Sequence, residues 1–480
     1  MFSLMDNILN MNLKSRKPTT MNLTQLPKEY IDWFSKPITR FIAIESAAGI
    51  VLFIATLCAV IIANSPLSES YAKFWELSLG ITIGSFVFER SLHSWINDAA
   101  MTIFFFLIAL ELKRELVLGE LRNPKLAMLS ISAALGGMLV PAFFYLTLQI
   151  GEPGQNGWGT VMATDTAFVI GCLALLGKSI PKSLRVFMLS MAVVDDIGAI
   201  LVVAIGYGED IKWLAICFSI LGFLMVRLMS FMGIRSIGLF SIAGSLVWLA
   251  VDASGVHPTL TGVILGLLTP TSKWVSKQRL YTIMNTIVSA SPRGHWSGNN
   301  IERLTLKTAG AAAREVLSPV ERLEIMLHPW VGFLIMPLFA LANAGVVLER
   351  SSFFSPITLA VLTGFVFGKP IGVLLFSWFA VKINIAKRPD NLQWNMIIGG
   401  GMLAGIGFTM ALFIAELAYT PEQIQFAKIG IFSASILSAS LGFLFLRYCT
   451  GSPSSELIKQ PFSLVHAGMY EFNNIKYEYS

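Results

Sequence analysis

The run Met191-Ala192-Val193-Val194-Asp195-Asp196-Ile197-Gly198-Ala199-Ile200 places two adjacent carboxylates at the centre of an apolar stretch covering about 186–205. A stretch of that length crosses the hydrocarbon of a bilayer as a helix, and no Lys or Arg inside it neutralises the pair. A carboxylate at that depth is costly unless it is paired, hydrated or protonated, so the doublet reads as a functional site. Successive residues on a helix point roughly 100° apart, so one carboxylate can line a cavity while the other meets a partner helix. The alternative reading is a capping or buried structural pair, as Asp often forms in soluble proteins.

The whole chain carries the same signature. Its 480 residues are 55% hydrophobic and 13% charged, with a mean hydropathy of +0.68. A soluble chain holds about 25% charged residues, so this is an all-α polytopic membrane protein. The net charge of +6 is spread over loops, which argues against a nucleic-acid face. Cys58, Cys172, Cys217 and Cys449 lie in or at the ends of apolar segments without metal-ligand spacing, and read as small core residues. Residues 1–40 are polar, with Pro18, Pro27 and Pro37 and no cleavable signal pattern, so the first span is expected to act as an uncleaved insertion signal.

Spanning-length apolar segments occur near 41–63, 95–112, 124–149, 158–177, 184–206, 211–231, 236–251, 256–270, 327–347, 357–381, 394–417 and 424–448. About twelve spans put both termini on one side. With the N-terminus inside, the outer segments carry only Lys73, Arg90, Lys212, Arg350 and Lys428, and Lys369 lies within a span. Every other Lys and Arg falls on the inner side, so both termini are expected in the cytoplasm. The domains are then a cytoplasmic extension at 1–40, a membrane domain at 41–448 and a cytoplasmic tail at 449–480. Residues 74–90 alternate β-prone side chains around Gly80 and Gly84, which predicts an outer β-hairpin or an amphipathic loop. An exposed hairpin edge can pair with a second copy. A long inner loop occupies 271–325.

Asp98, Glu111, Asp165, Lys369 and Glu416 also lie inside spans, with Glu45, Asp252 and His257 near span ends. Asp165 sits in Ala163-Thr164-Asp165-Thr166-Ala167, where threonines can supply oxygens to a cation or satisfy the backbone of a broken helix. Span eleven reads Gly399-Gly400-Gly401-Met402-Leu403-Ala404-Gly405-Ile406-Gly407-Phe408-Thr409, glycine-rich enough for an unwound centre or for close helix packing. Spans four and eleven are seven apart and cross in opposite senses. Interrupted segments so placed point to a transporter of inverted repeats with its site between the breaks. Asp165 near one break and Lys369 near the other would offset the facing dipole ends. Lys369 precedes Pro370, which loosens the turn before it. Desolvation disfavours the charged lysine and a nearby carboxylate favours it, so Lys369 can pair with one Asp and release its proton when a cation takes that Asp.

At these residues the chain resembles the NhaA-type bacterial Na⁺/H⁺ antiporters, a standing example of inverted-repeat architecture. The resemblance runs from about Ile38 to Tyr448. It rests on Phe106-Leu107-Ile108-Ala109-Leu110-Glu111-Leu112-Lys113-Arg114-Glu115-Leu116, Ala163-Thr164-Asp165, Val194-Asp195-Asp196-Ile197-Gly198 and Val256-His257-Pro258-Thr259. Arg322-Leu323-Glu324, Leu327-His328-Pro329-Trp330, Gly368-Lys369-Pro370 and Gly405-Ile406-Gly407-Phe408-Thr409-Met410 complete it. The resemblance implies that Asp196 is the principal ion- and proton-binding carboxylate and that Asp195 is the second, paired with Lys369. It implies that Thr164 and Asp165 flank the site at the broken helix. Glu111, Arg114, Glu115, His257, Glu324 and His328 match inner-side and pH-response positions.

It further implies electrogenic, pH-regulated exchange of protons against Na⁺ or Li⁺ across the bacterial inner membrane, by a homodimer joined through the outer hairpin. No cofactor and no enzymatic activity are implied. Ile325 stands where some members have histidine, Pro258 where some have alanine, and the inner loop and both ends are longer than the pattern. From the residues alone, Glu111, Lys113, Arg114 and Glu115 are either a pH-tuning cluster or an interfacial salt-bridge set. An intramembrane aspartyl protease needs its two carboxylates on separate helices, which this adjacent pair is not. A passive channel fits the buried Lys369 and interrupted spans poorly, and a proton-coupled symporter differs only in the direction of coupling. The expected mechanism is competition: protons or one dehydrated Na⁺ occupy Asp195 and Asp196, and one bundle moves against the rest.

Overall fold

The structure is a computed structural model that describes residues 45–83, 86–119, 124–207, 212–234, 236–273, 276–290, 307–308, 310, 312–313 and 315–450. The N-terminal extension, the tail beyond 450, Gly84 and much of the long loop lie outside the described residues. The helices are α1 Glu45–Ala63, α2 Ser68–Trp75, α3 Met101–Leu118, α4 Pro124–Leu148, α5 Thr166–Leu175 and α6 Lys182–Gly206. They continue as α7 Trp213–Phe231, α8 Ile237–Ala253, α9 Leu260–Leu268, α10 Lys277–Ala290, α11 Pro319–Trp330 and α12 Met336–Asn343. The last are α13 Pro356–Thr363, α14 Lys369–Lys382, α15 Trp394–Ala404, α16 Phe408–Ala418 and α17 Ile424–Thr450.

A helix stands at each of the twelve apolar segments. Among the described residues eight helices are long and apolar enough to cross a membrane, and up to ten if each bent pair is one span. Two segments, α8 with 17 residues and α9 with 9, fall short of that length alone. The short helix α2 was not expected from the sequence. It turns back from α1 at 118°, its Tyr71 hydroxyl bonded to the carbonyl of Leu341 and its Trp75 buried.

Local sequence explains the irregular points. Ser318 accepts a hydrogen bond from the Glu321 amide while Glu321 accepts one from the Ser318 amide, a reciprocal cap that starts α11 with Pro319 in its first turn. Pro370 has no amide proton and crowds the carbonyl four residues back. The preceding turn, Gly364–Gly368, widens into a π-helix, as expected of a loosened turn at that proline. Pro337 is preceded likewise by the π-helical Val331–Ile335.

Strands β1 Ser78–Ile83 and β2 Phe86–Ser91 pair antiparallel in the register Ser78 to Ser91, which decides the 74–90 segment as a hairpin. Arg90 of β2 ties it down, reaching Asp98 at 2.5 Å and Asp252 at 2.5 Å. Trp95 donates to the Leu79 carbonyl at 2.9 Å and stacks on Trp248. Asp98 and Asp252, two of the polar residues noted in or near spans, are therefore held by one guanidinium. The same end of the bundle gathers other connections. Asn64 bonds the Val346 carbonyl at 2.7 Å, His93 meets Asn343 at 2.9 Å, and the Lys212 amide bonds the Ser254 carbonyl at 2.9 Å. At the far end, Lys113 donates to the carbonyl of Thr269 at 2.6 Å, and the Lys387 amide bonds the Lys125 carbonyl at 3.0 Å.

The site is held from behind by α4 packed on α14. A Cβ on Gly372 would lie 2.0 Å from the Gly136 carbonyl oxygen, and one on Gly136 2.2 Å from that of Gly372. Both obstacles are backbone, so neither can swing away. Gly372→Ala should therefore destabilise the protein by about 1–3 kcal/mol or more, the range for overpacking. Thermal unfolding in detergent checks this, with Leu375→Ala, at the 51%-exposed Leu375 on the same helix, as the control that changes little.

Candidate functional site

Spans four and eleven are both broken, and the breaks touch. The first runs from a 3-10 helix, Gln155–Val161, through extended residues into α5. The second bends by 47° between α15 and α16. The Asp165 amide donates to the Ile406 carbonyl at 2.7 Å, joining the two unwound segments by their backbones. Unwound backbone at membrane depth is tolerated only where it is satisfied internally. Here side chains complete that satisfaction.

Asp165 is buried and serves both half-helices. Its Oδ1 accepts from the Phe168 amide at 3.2 Å, capping α5. Its Oδ2 accepts from the Thr409 amide at 3.0 Å and the Thr409 hydroxyl at 2.5 Å, in the first turn of α16. One negative side chain thus lies at two positive helix ends. The Phe408 amide points to the Ser435 hydroxyl at 3.4 Å. The expectation divided the dipole compensation between Asp165 at one break and Lys369 at the other. Asp165 instead takes both N-terminal ends, and Lys369 sits at the C-terminal end of the first segment.

Lys369 is fully buried at the start of α14, and its ammonium has three acceptors for three protons. These are the Met162 carbonyl at 2.6 Å, the Thr164 hydroxyl at 2.6 Å and Asp195 Oδ2 at 3.0 Å. Thr164 relays the contact: it accepts from Lys369 and donates to Asp195 Oδ2 at 2.7 Å, with the Ala404 carbonyl 3.1 Å away. Asp195 and Asp196 lie halfway along α6, 1% and 5% exposed. Only one oxygen of Asp195 is used by these donors. Asp195 Oδ1 and Asp196 Oδ1 are both buried without a hydrogen-bond partner among the described residues. Buried carboxylate oxygens left bare are costly unless something positive comes to them, a proton or a cation.

Five of the remaining predicted residues gather at the far end. Arg114 pairs with Glu324 and reaches Glu115 at 3.1 Å. Glu111 lies one turn earlier on α3, and His328 one turn beyond Glu324 on α11. Lys113 leaves this group to cap the C-terminal end of α9. His257 is apart from all of them, in the connection between α8 and α9 at the hairpin end, its Nδ1 2.7 Å from the Thr259 hydroxyl. Thr409 and the carbonyls of Met162 and Ala404 escaped the reading from sequence. Thr409 was detectable in principle, as a hydroxyl one residue into a half-helix that follows Gly-Ile-Gly. The carbonyls were not, because a backbone oxygen leaves no signature until the break is located.

Among the described residues no three His, Cys, Asp or Glu side chains cluster as a metal-holding group.

Residues 39–446 match the family model described as Na+/H+ antiporter 1. The chain is 70% identical over 435 residues to the Na(+)/H(+) antiporter NhaA 2 of Vibrio vulnificus, covering 91% of this chain and 97% of that protein. It is 54% identical over 429 residues to the Na(+)/H(+) antiporter NhaA of Rhizobium meliloti, covering 89% and 98%. It is 44% identical over 431 residues to the Na(+)/H(+) antiporter NhaA of Rhodopirellula baltica, covering 90% and 98%.

Proposed function

Because the chain belongs to the Na⁺/H⁺ antiporter 1 family of secondary transporters, we propose that it exports Na⁺ or Li⁺ against protons electrogenically, with Asp195 and Asp196 as the shared site. The observation that carries this reading is the pair of bare, buried carboxylate oxygens beside a fully satisfied buried lysine, at the contact of two broken helices. Na⁺ is a hard cation that takes oxygen ligands. Asp195 Oδ1 and Asp196 Oδ1 supply two, and the unwound carbonyls add candidates.

Without Na⁺, Lys369 and Thr164 hold Asp195 through Oδ2. A cation arriving at Asp195 competes with Lys369 for the same negative charge. Two positive charges at one carboxylate repel in a low-dielectric site, so cation binding drives Lys369 to move off or give up its proton. Protons returning to the site reverse the order, and a proton and a cation never both fill it. That competition is antiport.

Alternating access follows if α4, locked to α14 at Gly136 and Gly372, moves with α5, α6, α14, α15 and α16 against the other helices. Glu111, Arg114, Glu115, Glu324 and His328 form the charged group that we assign to the pH response, at the far end. We place the far end and both termini in the cytoplasm of a bacterial inner membrane, supported by the positive-inside distribution. The hairpin, exposed at Leu77 and Leu79, is the surface proposed for a homodimer.

The test is ΔpH dequenching in inverted vesicles on adding NaCl, LiCl or KCl, repeated over a series of buffers from mildly acidic to mildly alkaline. Dequenching with Na⁺ or Li⁺ is expected. Well-inserted protein that gives no response over that range overturns the antiporter reading, and a response requiring cation and proton to move the same way replaces it with symport.

A further inference from the structure

Four aromatic rings meet between the carboxylates and the hairpin end. Phe413 of α16 is five residues past the start of that half-helix. Its ring lies 5.3 Å, centroid to centroid, from Phe105 of α3 and 6.4 Å from Phe339 of α12. The His257 imidazole meets it edge-on at 5.6 Å and 89°. Phe105, Phe339 and Phe413 are each at most 1% exposed.

Their depth is set by α3. Phe105 is six residues, about 9 Å, from Glu111 and seven residues, about 10 Å, from Asp98, which Arg90 holds at the hairpin. The rings therefore form a layer between a charged group at the far end and a charged clamp at the hairpin. On the far side of the carboxylates the approach is polar, with Glu111, Arg114, Glu115 and Glu324. On the hairpin side it is aromatic. The three phenylalanine rings offer a cation no carboxylate, hydroxyl or carbonyl, the His257 Nδ1 is engaged by the Thr259 hydroxyl, and a constriction lined mainly by such rings disfavours water.

The four rings come from two sets of helices. Phe413 stands on the half-helix whose first turn Asp165 holds. Phe105, Phe339 and His257 stand on α3, α12 and the α8 to α9 connection, which contribute nothing to the hydrogen bonds around Asp195 and Lys369. We infer that Phe413, inserted among Phe105, Phe339 and His257, is the seal that closes the ion path on the hairpin side. Withdrawal of Phe413 with its half-helix opens that side, and its return shuts it. The inference rests on the alternating-access reading above and adds the residues that separate the site from one side.

The test uses the full chain in proteoliposomes. An imposed ΔpH is allowed to decay in Na⁺-free buffer, and Na⁺-driven exchange is measured on the same vesicles. Phe413→Ala should speed the Na⁺-independent decay by roughly tenfold, because removing a dry constriction lets water and protons through. Phe413→Leu keeps apolar bulk and should decay like wild type. Should Phe413→Ala fail to fold, Phe339→Ala removes the facing ring and must show the same leak. A decay equal to wild type in a folded variant that still exchanges Na⁺ overturns the seal alone. Absence of Na⁺-driven exchange in wild type overturns the antiporter reading itself, whatever the leak.

Discussion

Asp196→Asn should abolish Na⁺- and Li⁺-driven dequenching while leaving a folded protein at least as stable as wild type. Asparagine keeps the shape of the side chain and removes the charge that a proton or a cation must meet. Asp196 Oδ1 is buried with no partner among the described residues, so no hydrogen bond at that oxygen offsets its desolvation at rest. An ionised group held that way costs stability, and its neutral isostere relieves the cost. Loss of transport together with unchanged or higher thermal stability is therefore the signature expected of a site kept for function. Dequenching assays and thermal unfolding on the same preparation decide it. Wild-type exchange in well-inserted Asp196→Asn would move the central carboxylate elsewhere, and a sharp loss of stability would make Asp196 a structural residue.

Lys369→Ala should give the largest loss of stability. It strips three acceptors at once: the Met162 carbonyl, the Thr164 hydroxyl and Asp195 Oδ2. Asp195 is 1% exposed and keeps only the Thr164 hydroxyl. Removing one partner of a buried ion pair costs about 3–5 kcal/mol, since the other charge stays behind uncompensated. A second change discriminates the cause. Lys369→Ala combined with Asp195→Asn removes the stranded charge and should recover a substantial part of the loss, a coupling that a simple cavity at position 369 would not produce. Unfolding midpoints for wild type, both single variants and the double variant give the coupling directly. Additive losses would show that the contact at 3.0 Å carries little energy.

The fold class was legible in the chain because the membrane imposes it. Hydrocarbon leaves no alternative to helices, so an apolar segment of spanning length announces its own secondary structure. The carboxylates at 195 and 196 and the lysine at 369 were legible for the same reason, as charges where charge is costly. Less local matters were not. Residues 74–90 read equally as hairpin or loop until the strands were seen to pair, because pairing depends on Arg90 finding Asp98 and Asp252. The short helix α2 was missed since its turn from α1 is held partly by a hydroxyl reaching Leu341, far along the chain. Lys113, grouped by sequence with its neighbours, turns to the end of α9 instead.

Beyond the family resemblance that its motifs carried, the sequence by itself determined a helical membrane protein and which charged residues lie at membrane depth. Each follows from solvation, which acts residue by residue on the chain. Only the tertiary structure decided that Asp165 caps both half-helices, that Lys369 is satisfied by Met162, Thr164 and Asp195 together, and that two carboxylate oxygens are left bare. It alone set His257 against Phe413, away from the other predicted pH-response residues. Hydrogen bonds and ring contacts are short-ranged and join residues more than a hundred positions apart. No local pattern encodes which distant oxygen or ring a side chain will meet.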